Sequence, residues 1–216
     1  MGKRRAGFVF VILGAVLLAA ALLLFLHNQD EDRQAGESAD AAMEAIRQVI
    51  GEGGPQMLDL SEEETAPDET GETEEGPTEP TALTAVEIDG NRYIGYLSIP
   101  AYDLELPILE TWSEAGLRVA PCLQYGSPLT DDAVIAGHNY DKHFLTLHKV
   151  QPGDYLTFTD MTGYTIEYGV VETKIIDPRN VSEAVDSGYD LTLYTCTIGG
   201  QSRVLVCCNR LEHYEE

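Results

Sequence analysis

The chain has 216 residues, enough for one ordinary domain and an additional segment. Its 37 acidic residues against 13 Lys and Arg give a formal net charge of -24, which argues against nucleic acid as a partner because phosphates would be repelled. Its 4 cysteines are too few for a disulfide scaffold, and no C-x-x-C pair is present for zinc or redox chemistry.

Residues 8–26 form an unbroken apolar run, FVFVILGAVLLAAALLLFL. A helix of this length covers about 28 Å, close to the thickness of the hydrocarbon core of a bilayer. Lys3, Arg4 and Arg5 precede the run and acidic residues follow it, so the N-terminus is expected in the cytoplasm and the remainder outside. The run exceeds the apolar region of a cleaved signal peptide. We therefore predict a cytoplasmic tail at 1–7 and an uncleaved, single-pass anchor in the cell membrane at 8–26.

Residues 27–81 are predicted to form an acidic, mostly disordered extracellular linker. Between 51 and 81 the chain has eleven Asp or Glu and no Lys or Arg, mixed with Gly, Pro and Thr. Such a segment has too little apolar surface to offset the entropy lost on ordering. Within the linker, Ala42, Ile46 and Val49 form a weak apolar stripe that would suit a short helix at 35–50.

Residues 82–216 are predicted to form the folded domain, in which short apolar runs alternate with turn residues. Strands are expected at 92–99, 104–109, 133–136, 155–159, 164–170, 191–196 and 203–207, with one helical turn at 143–148. Seven or eight short strands with little helix signal indicate an antiparallel barrel or sandwich.

Cys196 ends one predicted strand, and Arg203 begins the next one. The turn between them, TIGGQS, contains two glycines, which permit a tight return and pair the two residues across a hairpin. A strand end holds the thiol rigidly at an accessible rim, which is the placement that a catalytic nucleophile needs. A guanidinium beside the thiol can favour the thiolate and donate hydrogen bonds to the oxyanion formed when a thiolate attacks an amide carbonyl.

His138 follows the run AVIAG, where Gly137 allows a sharp exit from a strand. An imidazole at this position could protonate a leaving amine and later deprotonate an incoming one. A lone histidine after a strand is, however, more often an ordinary loop residue, and a strand cysteine is more often a small buried hydrophobe. The residue types and spacing alone leave both interpretations open.

Three segments together resemble the sortase family of cysteine transpeptidases. The run TLYTC, which ends at Cys196 and is followed seven residues later by Arg203, resembles the sortase TLxTC-to-Arg signature. AGHN at 136–139 is similar to the family's histidine segment, and IGYLSIPAYDLELPIL at 94–109 is similar to its opening strands. The resemblance spans about 86–209. It implies a mainly β fold: a closed seven- or eight-stranded sortase-like β-barrel with short helices, preceded by one N-terminal transmembrane helix.

The resemblance also implies an activity. Cys196 would attack an LPxTG-like C-terminal sorting signal and form a thioacyl-enzyme, which an amine of a peptidoglycan precursor or a pilin lysine would resolve. His138 would act as general acid and then as base, Arg203 would hold the substrate backbone and the oxyanion, and Thr195 would contribute to substrate binding. The expected partners are surface proteins or pilins with sorting signals and the membrane of a Gram-positive cell, and no metal ion or other cofactor is expected.

Two features leave the subclass open. GHN rather than GHR resembles class B sortases, whereas the connection at 173–190 is too short for the helical insertion usual in that class. Asp131, Asp132 and Glu172 are interpreted as loop and edge charges rather than as the calcium site of some class A members.

The remaining cysteines and histidines have simpler interpretations. Cys207 and Cys208 are adjacent in a strand and point to opposite faces, so only one of them is expected to be buried. Cys122 is expected in a loop, and its pairing with either of them stays open. His143 and His148 lie five residues apart, which is not the spacing of a helical metal pair, and both are expected at the surface.

Two alternatives to the transpeptidase remain open at this point. The same three residues could use water as the acceptor, which would make the protein a cysteine peptidase that trims surface proteins. The chain could also be a non-catalytic, tethered β domain that binds at the cell surface. The retention of Cys196, His138 and Arg203 together argues against the second alternative.

Overall fold

The computed structural model describes residues 2–52 and 80–211. Most of the acidic linker lies outside these ranges, so its predicted disorder stays a prediction. The side chains of Lys3, Arg4 and Arg5, on which the predicted orientation depends, also lie outside the described set.

A single helix, α1 (Gly2–Gly51), forms the N-terminal part of the structure. It is long and apolar enough to cross a membrane, and its apolar side chains, such as Leu18 at 74% exposure, face outward. The sequence predicted a mostly disordered linker from residue 27, whereas residues 27–51 continue the helix. The physical reason is tertiary: the second half of α1 buries one face against the barrel, and such packing stabilises a helix whose own apolar stripe is weak. The buried residues are Ala35, Ala39, Ala42, Met43 and Ile46.

Within residues 80–211, nine strands follow α1. They are β1 (Val86–Ile88), β2 (Asn91–Ile99), β3 (Leu104–Leu109), β4 (Cys122–Tyr125), β5 (Ala133–Ala136), β6 (Tyr155–Asp160), β7 (Thr165–Ile176), β8 (Leu191–Cys196) and β9 (Arg203–Arg210). The short helices α2 (Glu114–Leu117) and α3 (Ser182–Val185) and two 3₁₀ turns (Pro100–Tyr102 and Phe144–His148) lie between strands.

Eight of the strands close into a barrel in the order β2-β3-β4-β5-β8-β9-β7-β6, and β6 pairs back with β2. This arrangement confirms the predicted closed barrel. The prediction of an antiparallel barrel was wrong at two joints, because β3–β4 and β5–β8 pair in parallel. Each parallel pair is separated in the chain by a long connection, which parallel pairing requires: α2 lies between β3 and β4, and the β6–β7 hairpin and α3 lie between β5 and β8.

The barrel closes tightly where Gly95 of β2 pairs with Asp160 of β6. Gly95 has a φ of 144°, and a Cβ at this position would lie 2.0 Å from the carbonyl oxygen of Thr159. Only a residue without a side chain lets the two backbones approach this closely. The glycine is therefore part of what closes the sheet into a barrel.

Both faces of β9 are covered. Cys208 belongs to the apolar cluster inside the barrel, whereas Cys207 belongs to an outer cluster with Ala184 of α3 and Tyr194 of β8. Both thiols are 0% exposed, so the prediction that only one would be buried was wrong. Cys122 is also 0% exposed and lies in β4 rather than in a loop. All four cysteines are free.

Candidate active site

The hairpin β8–β9 ends at the candidate nucleophile. Cys196 and Arg203 are directly opposed as the last pair of the ladder, which confirms the predicted hairpin geometry. The turn at 197–202 is held by its own hydrogen bonds, in which the amide of Thr197 donates to the carbonyl of Ser202 at 2.9 Å. Gly199 and Gly200 have φ values of 88° and 73°, which the tight return requires. The thiol is therefore held at a rigid rim.

The parallel pairing of β5 with β8 brings His138 to the same rim. Ala136 pairs with Tyr194, and the amide of Gly137 donates to the Tyr194 carbonyl at 3.1 Å. Because parallel strands end at the same edge of a sheet, the residue after β5 lies beside the last residue of β8. The structure thus supplies a physical reason for placing His138 near Cys196.

Thr195 joins the ends of the two strands. Its side chain is 1% exposed, and its hydroxyl donates to the carbonyl of Gly137 at 2.9 Å. This hydrogen bond links β8 to the residue that follows β5. The substrate-binding role of Thr195 stays a prediction.

Cys196, His138 and Arg203 line one open cleft of about 400 Å³. Its other walls come from both apolar and charged residues. They include Trp112, Leu117 and Arg118 in and around α2, Tyr194 of β8, Tyr140 after β5, and Glu31 of α1. No local sequence pattern marks Glu31 or Arg118 as a site residue, because each reaches the cleft only through tertiary packing.

His138 lies between opposing electrostatic influences. Its ring stacks on Tyr140, with centroids 4.7 Å apart. Burial lowers the pKa of His138, the Arg118 cation lowers it further, and the Glu31 carboxylate opposes both effects. A depressed pKa favours a neutral imidazole, and the nearby carboxylate helps the ring to accept a proton.

Arg203 is half-buried at the rim. Its Nη1 donates to the carbonyl oxygens of Gly200 at 3.3 Å and of Ser202 at 3.1 Å. These bonds fix a permanent cation in the cleft that Cys196 also lines, and they leave further guanidinium N–H groups to interact with a ligand.

Two other residues connect the segment after β5 to the end of β8 and its turn. The side-chain amide of Asn139 donates to the carbonyl of Thr197 at 3.4 Å, and the Nε2 atom of His148 lies 3.2 Å from the carbonyl oxygen of Cys196. His148 is exposed, as expected. His143 is 0% exposed, so its predicted surface position was wrong; the loop that carries it is covered by α1.

The carboxylates considered for calcium have local partners. Asp132 accepts from the amide of Ser127 at 2.9 Å, and Glu172 pairs with Lys174 at 3.0 Å. Among the described residues, no group of three or more His, Cys, Asp or Glu side chains is arranged to hold a metal ion. These carboxylates therefore stabilise a turn and a strand surface.

Comparisons with known proteins agree with this geometry. The model of the Sortase domain family matches residues 97–211, more than half of the chain. The structure is similar to sortase C1 from Streptococcus agalactiae, with 27% sequence identity and a TM-score of 0.50, over 59% of this chain and 72% of that one. Its fold is also similar to that of Clostridium perfringens sortase C with the C-terminal cell wall sorting motif, with 24% identity and a TM-score of 0.50, over 56% of this chain and 71% of that one. No curated protein matches the chain.

Proposed function

The chain belongs to the sortase family, and we propose that it is a membrane-anchored cysteine transpeptidase that works on the outer face of the cell. Its donor substrate would be a protein with an LPxTG-like C-terminal sorting signal. Its acceptor would be an amine, either of a peptidoglycan precursor or of a pilin lysine. The observation that carries the proposal is the meeting of Cys196, His138 and Arg203 in one open cleft at the ends of adjacent strands.

In the proposed acylation step, the Cys196 thiolate attacks the carbonyl carbon of the scissile peptide bond. Arg203 donates hydrogen bonds to the oxyanion that develops there, and its fixed charge needs no reorganisation as the negative charge grows. His138 in its protonated form gives a proton to the leaving amine, so that the C–N bond breaks and a thioester to Cys196 remains.

In the proposed transfer step, His138 takes a proton from the incoming amine as that amine attacks the thioester. The tetrahedral intermediate is held by Arg203 again, and its collapse forms the new amide and releases the Cys196 thiolate. The cycle returns every proton and needs neither metal nor redox cofactor. The cleft is open on one side, which leaves room for the acceptor after the first product leaves.

A peptide library tests this function. The full chain in detergent would be incubated with LPxTG-like peptides and an amine, and the thioacyl adduct on Cys196 would be sought by mass spectrometry. We expect an adduct and an amide product with the wild type and neither with Cys196→Ala. If the two proteins give the same result with every peptide, the protein is not this enzyme. If hydrolysed peptide forms and no amide product does, the protein is a peptidase that uses water.

A further inference from the structure

We propose that α1 acts as a rigid post that holds the catalytic cleft at the membrane surface, with the end of the barrel that carries His138 and the β8–β9 turn facing the lipid headgroups. The inference deepens the proposed function and rests on its membrane anchoring. It fixes the distance between the cleft and the membrane surface and therefore restricts the substrates that can reach the cleft.

The first support is the continuity of α1. The helix is unbroken from the apolar run into the segment packed on the barrel, and no proline interrupts it. The apolar run ends at Leu26, and Glu31 already lines the cleft. Five residues of helix rise about 8 Å, which is about the thickness of one headgroup layer.

The second support is the extent of the contact between α1 and the barrel. Near its membrane end, the carboxylate of Asp32 accepts from the amide of Asp141 at 2.9 Å. Gly36 packs so closely that a Cβ would lie 2.9 Å from Cγ of Lys142. Further along, Ile46 is 0% exposed in a cluster with Tyr93 and other barrel residues. A contact several helical turns long resists rocking of the barrel on its anchor.

The third support is the direction in which α1 runs along the barrel. Along α1, the contact of Asp32 with Asp141, near the candidate active site, comes soon after the apolar run, and Ile50, which lies beside Gly163 between β6 and β7, comes last. The cleft is therefore at the membrane end of the barrel. Phe25, which belongs to the apolar run, lines the same depression as His138 and Leu145. If the run lies in the bilayer, this depression opens at the lipid boundary.

The exposed residues at this end suit a lipid surface. Ile198, at the tip of the β8–β9 turn, is 79% exposed, and the turn is tied to the His138 segment through Asn139. Lys142 is exposed in the same region of a strongly acidic protein. Asp30, Asp32 and Asp141 line the same depression as Lys142, so the apolar side chain of Ile198, rather than net charge, is the feature that suits the lipid surface.

The consequence concerns the substrate. A polypeptide that is itself inserted in the bilayer reaches a cleft at this height only if its scissile bond lies a few residues from its own apolar segment. A scissile bond that is held well above the membrane would not reach the cleft, because the rigid helix keeps the cleft at one distance from the membrane.

The test changes the length of the post. Seven polar, helix-forming residues inserted between Leu26 and His27 raise the domain by about 10 Å and nearly preserve its orientation, because seven residues make almost two turns. The matched control carries the same seven residues after Gly71, in the acidic segment that follows α1. The full-length proteins would be reconstituted in vesicles that contain a lipid with maleimide on its headgroup.

Cys196 is the natural target of this lipid, because Cys122, Cys207 and Cys208 are each 0% exposed. We expect the lipid to label Cys196 in the wild type and in the control, and at least tenfold more slowly in the variant with the long post. Soluble maleimide should label all three proteins equally. Equal labelling by the lipid in the long-post variant would overturn the fixed height. A wild type that reacts with soluble maleimide and not with the lipid would overturn the membrane-facing cleft.

A second measurement separates this inference from the proposed function. Both insertion variants should turn over a water-soluble signal peptide as the wild type does, whereas the long-post variant should cleave a bilayer-inserted substrate with a short spacer at least tenfold more slowly. Equal cleavage of the inserted substrate by all three proteins would refute the post. If the wild type turns over none of the soluble peptides of the library, the enzyme assignment is refuted, and the labelling result still decides the position of the cleft.

Discussion

Two charged residues that are far apart in the chain act on the pKa of His138. Arg118 follows α2, Glu31 lies on α1, and they act on the pKa of the ring in opposite directions. Tyr140 stacks on the ring, and His143 lies behind that tyrosine. In the proposed mechanism the protonated ring is the acid that releases the first product, so Glu31 would raise the fraction of enzyme that is ready to react.

The variant Glu31→Gln tests that role. Loss of the carboxylate should lower the pKa of His138, because the opposing Arg118 cation and burial remain. The basic limb of the profile of kcat/KM against pH should therefore move to lower pH, and activity on that limb should fall. NMR titration of the His138 ring measures the same change directly. Glu44→Gln, on an exposed part of α1, is the control, and an unchanged His138 titration in Glu31→Gln would contradict the prediction.

Arg203 is predicted to act through the shape of its guanidinium as well as its charge. Two of its hydrogen bonds go to the carbonyls of its own turn, so the orientation of the planar group is set before substrate binds. Arg203→Lys keeps the charge and loses this planar arrangement. We expect kcat/KM for the signal peptide to fall about 100-fold, the size of effect found when one oxyanion donor is lost. A near-normal rate would remove Arg203 from the mechanism.

Among the elements, α1 and the segment after β5 depend on each other. His143 is fully buried in that segment, against the backbone of Ala35. Burial lowers the pKa of His143 from its usual value near 6.5 to about 4. The folded protein therefore favours the neutral ring, and an acidic solution opposes the packing of α1.

The sign of this effect gives a prediction. The stability contributed by a neutral buried His143 is complete above about pH 6.5, where the unfolded chain is also neutral, and decreases as the pH falls towards 4. Tm should fall over this interval. In His143→Leu the fall should be smaller, because the remaining change comes from the other titrating groups, among them the carboxylates and His138. Thermal unfolding followed by circular dichroism at several pH values measures both, and identical slopes would contradict the assignment.

For the whole molecule, the boundary of the folded unit is not where the composition changes. The sequence prediction places the domain at 82–216, whereas the helical residues 35–50 cover the cluster that contains Tyr93, Leu109 and Met161. Removing α1 would expose this cluster to water. The candidate active site and the second half of α1 therefore belong to one packed unit.

A comparison of two fragments tests this boundary. A chain that begins at residue 28 keeps the packed part of α1, and a chain that begins at residue 82 does not. Burial of Ile46, Met43 and three alanines contributes about 1.5 to 3 kcal/mol for each large side chain. We expect the shorter fragment to lose at least about 3 kcal/mol of unfolding free energy and to aggregate. Urea unfolding of the two fragments measures the difference, and equal midpoints would show that α1 is dispensable.

The sequence alone was enough to predict what depends on neighbours in the chain. Short apolar runs bounded by turn residues placed β3, β5 and β8 at their observed bounds, and the two glycines of the turn predicted the pairing of Cys196 with Arg203. The apolar run predicted a helix long enough to cross a membrane. Each of these features is decided by side-chain periodicity, turn chemistry or segment length, which act over a few residues.

Only the tertiary structure decided what depends on segments distant in the chain. The parallel joint between β5 and β8 places His138 beside Cys196, and no local pattern predicts which strands will be neighbours. The packing of α1 makes a helix of a segment with a weak apolar stripe, buries His143 and brings Glu31 to the cleft. These outcomes follow from the burial of surfaces against each other, which stabilises a contact only once both partners are in place.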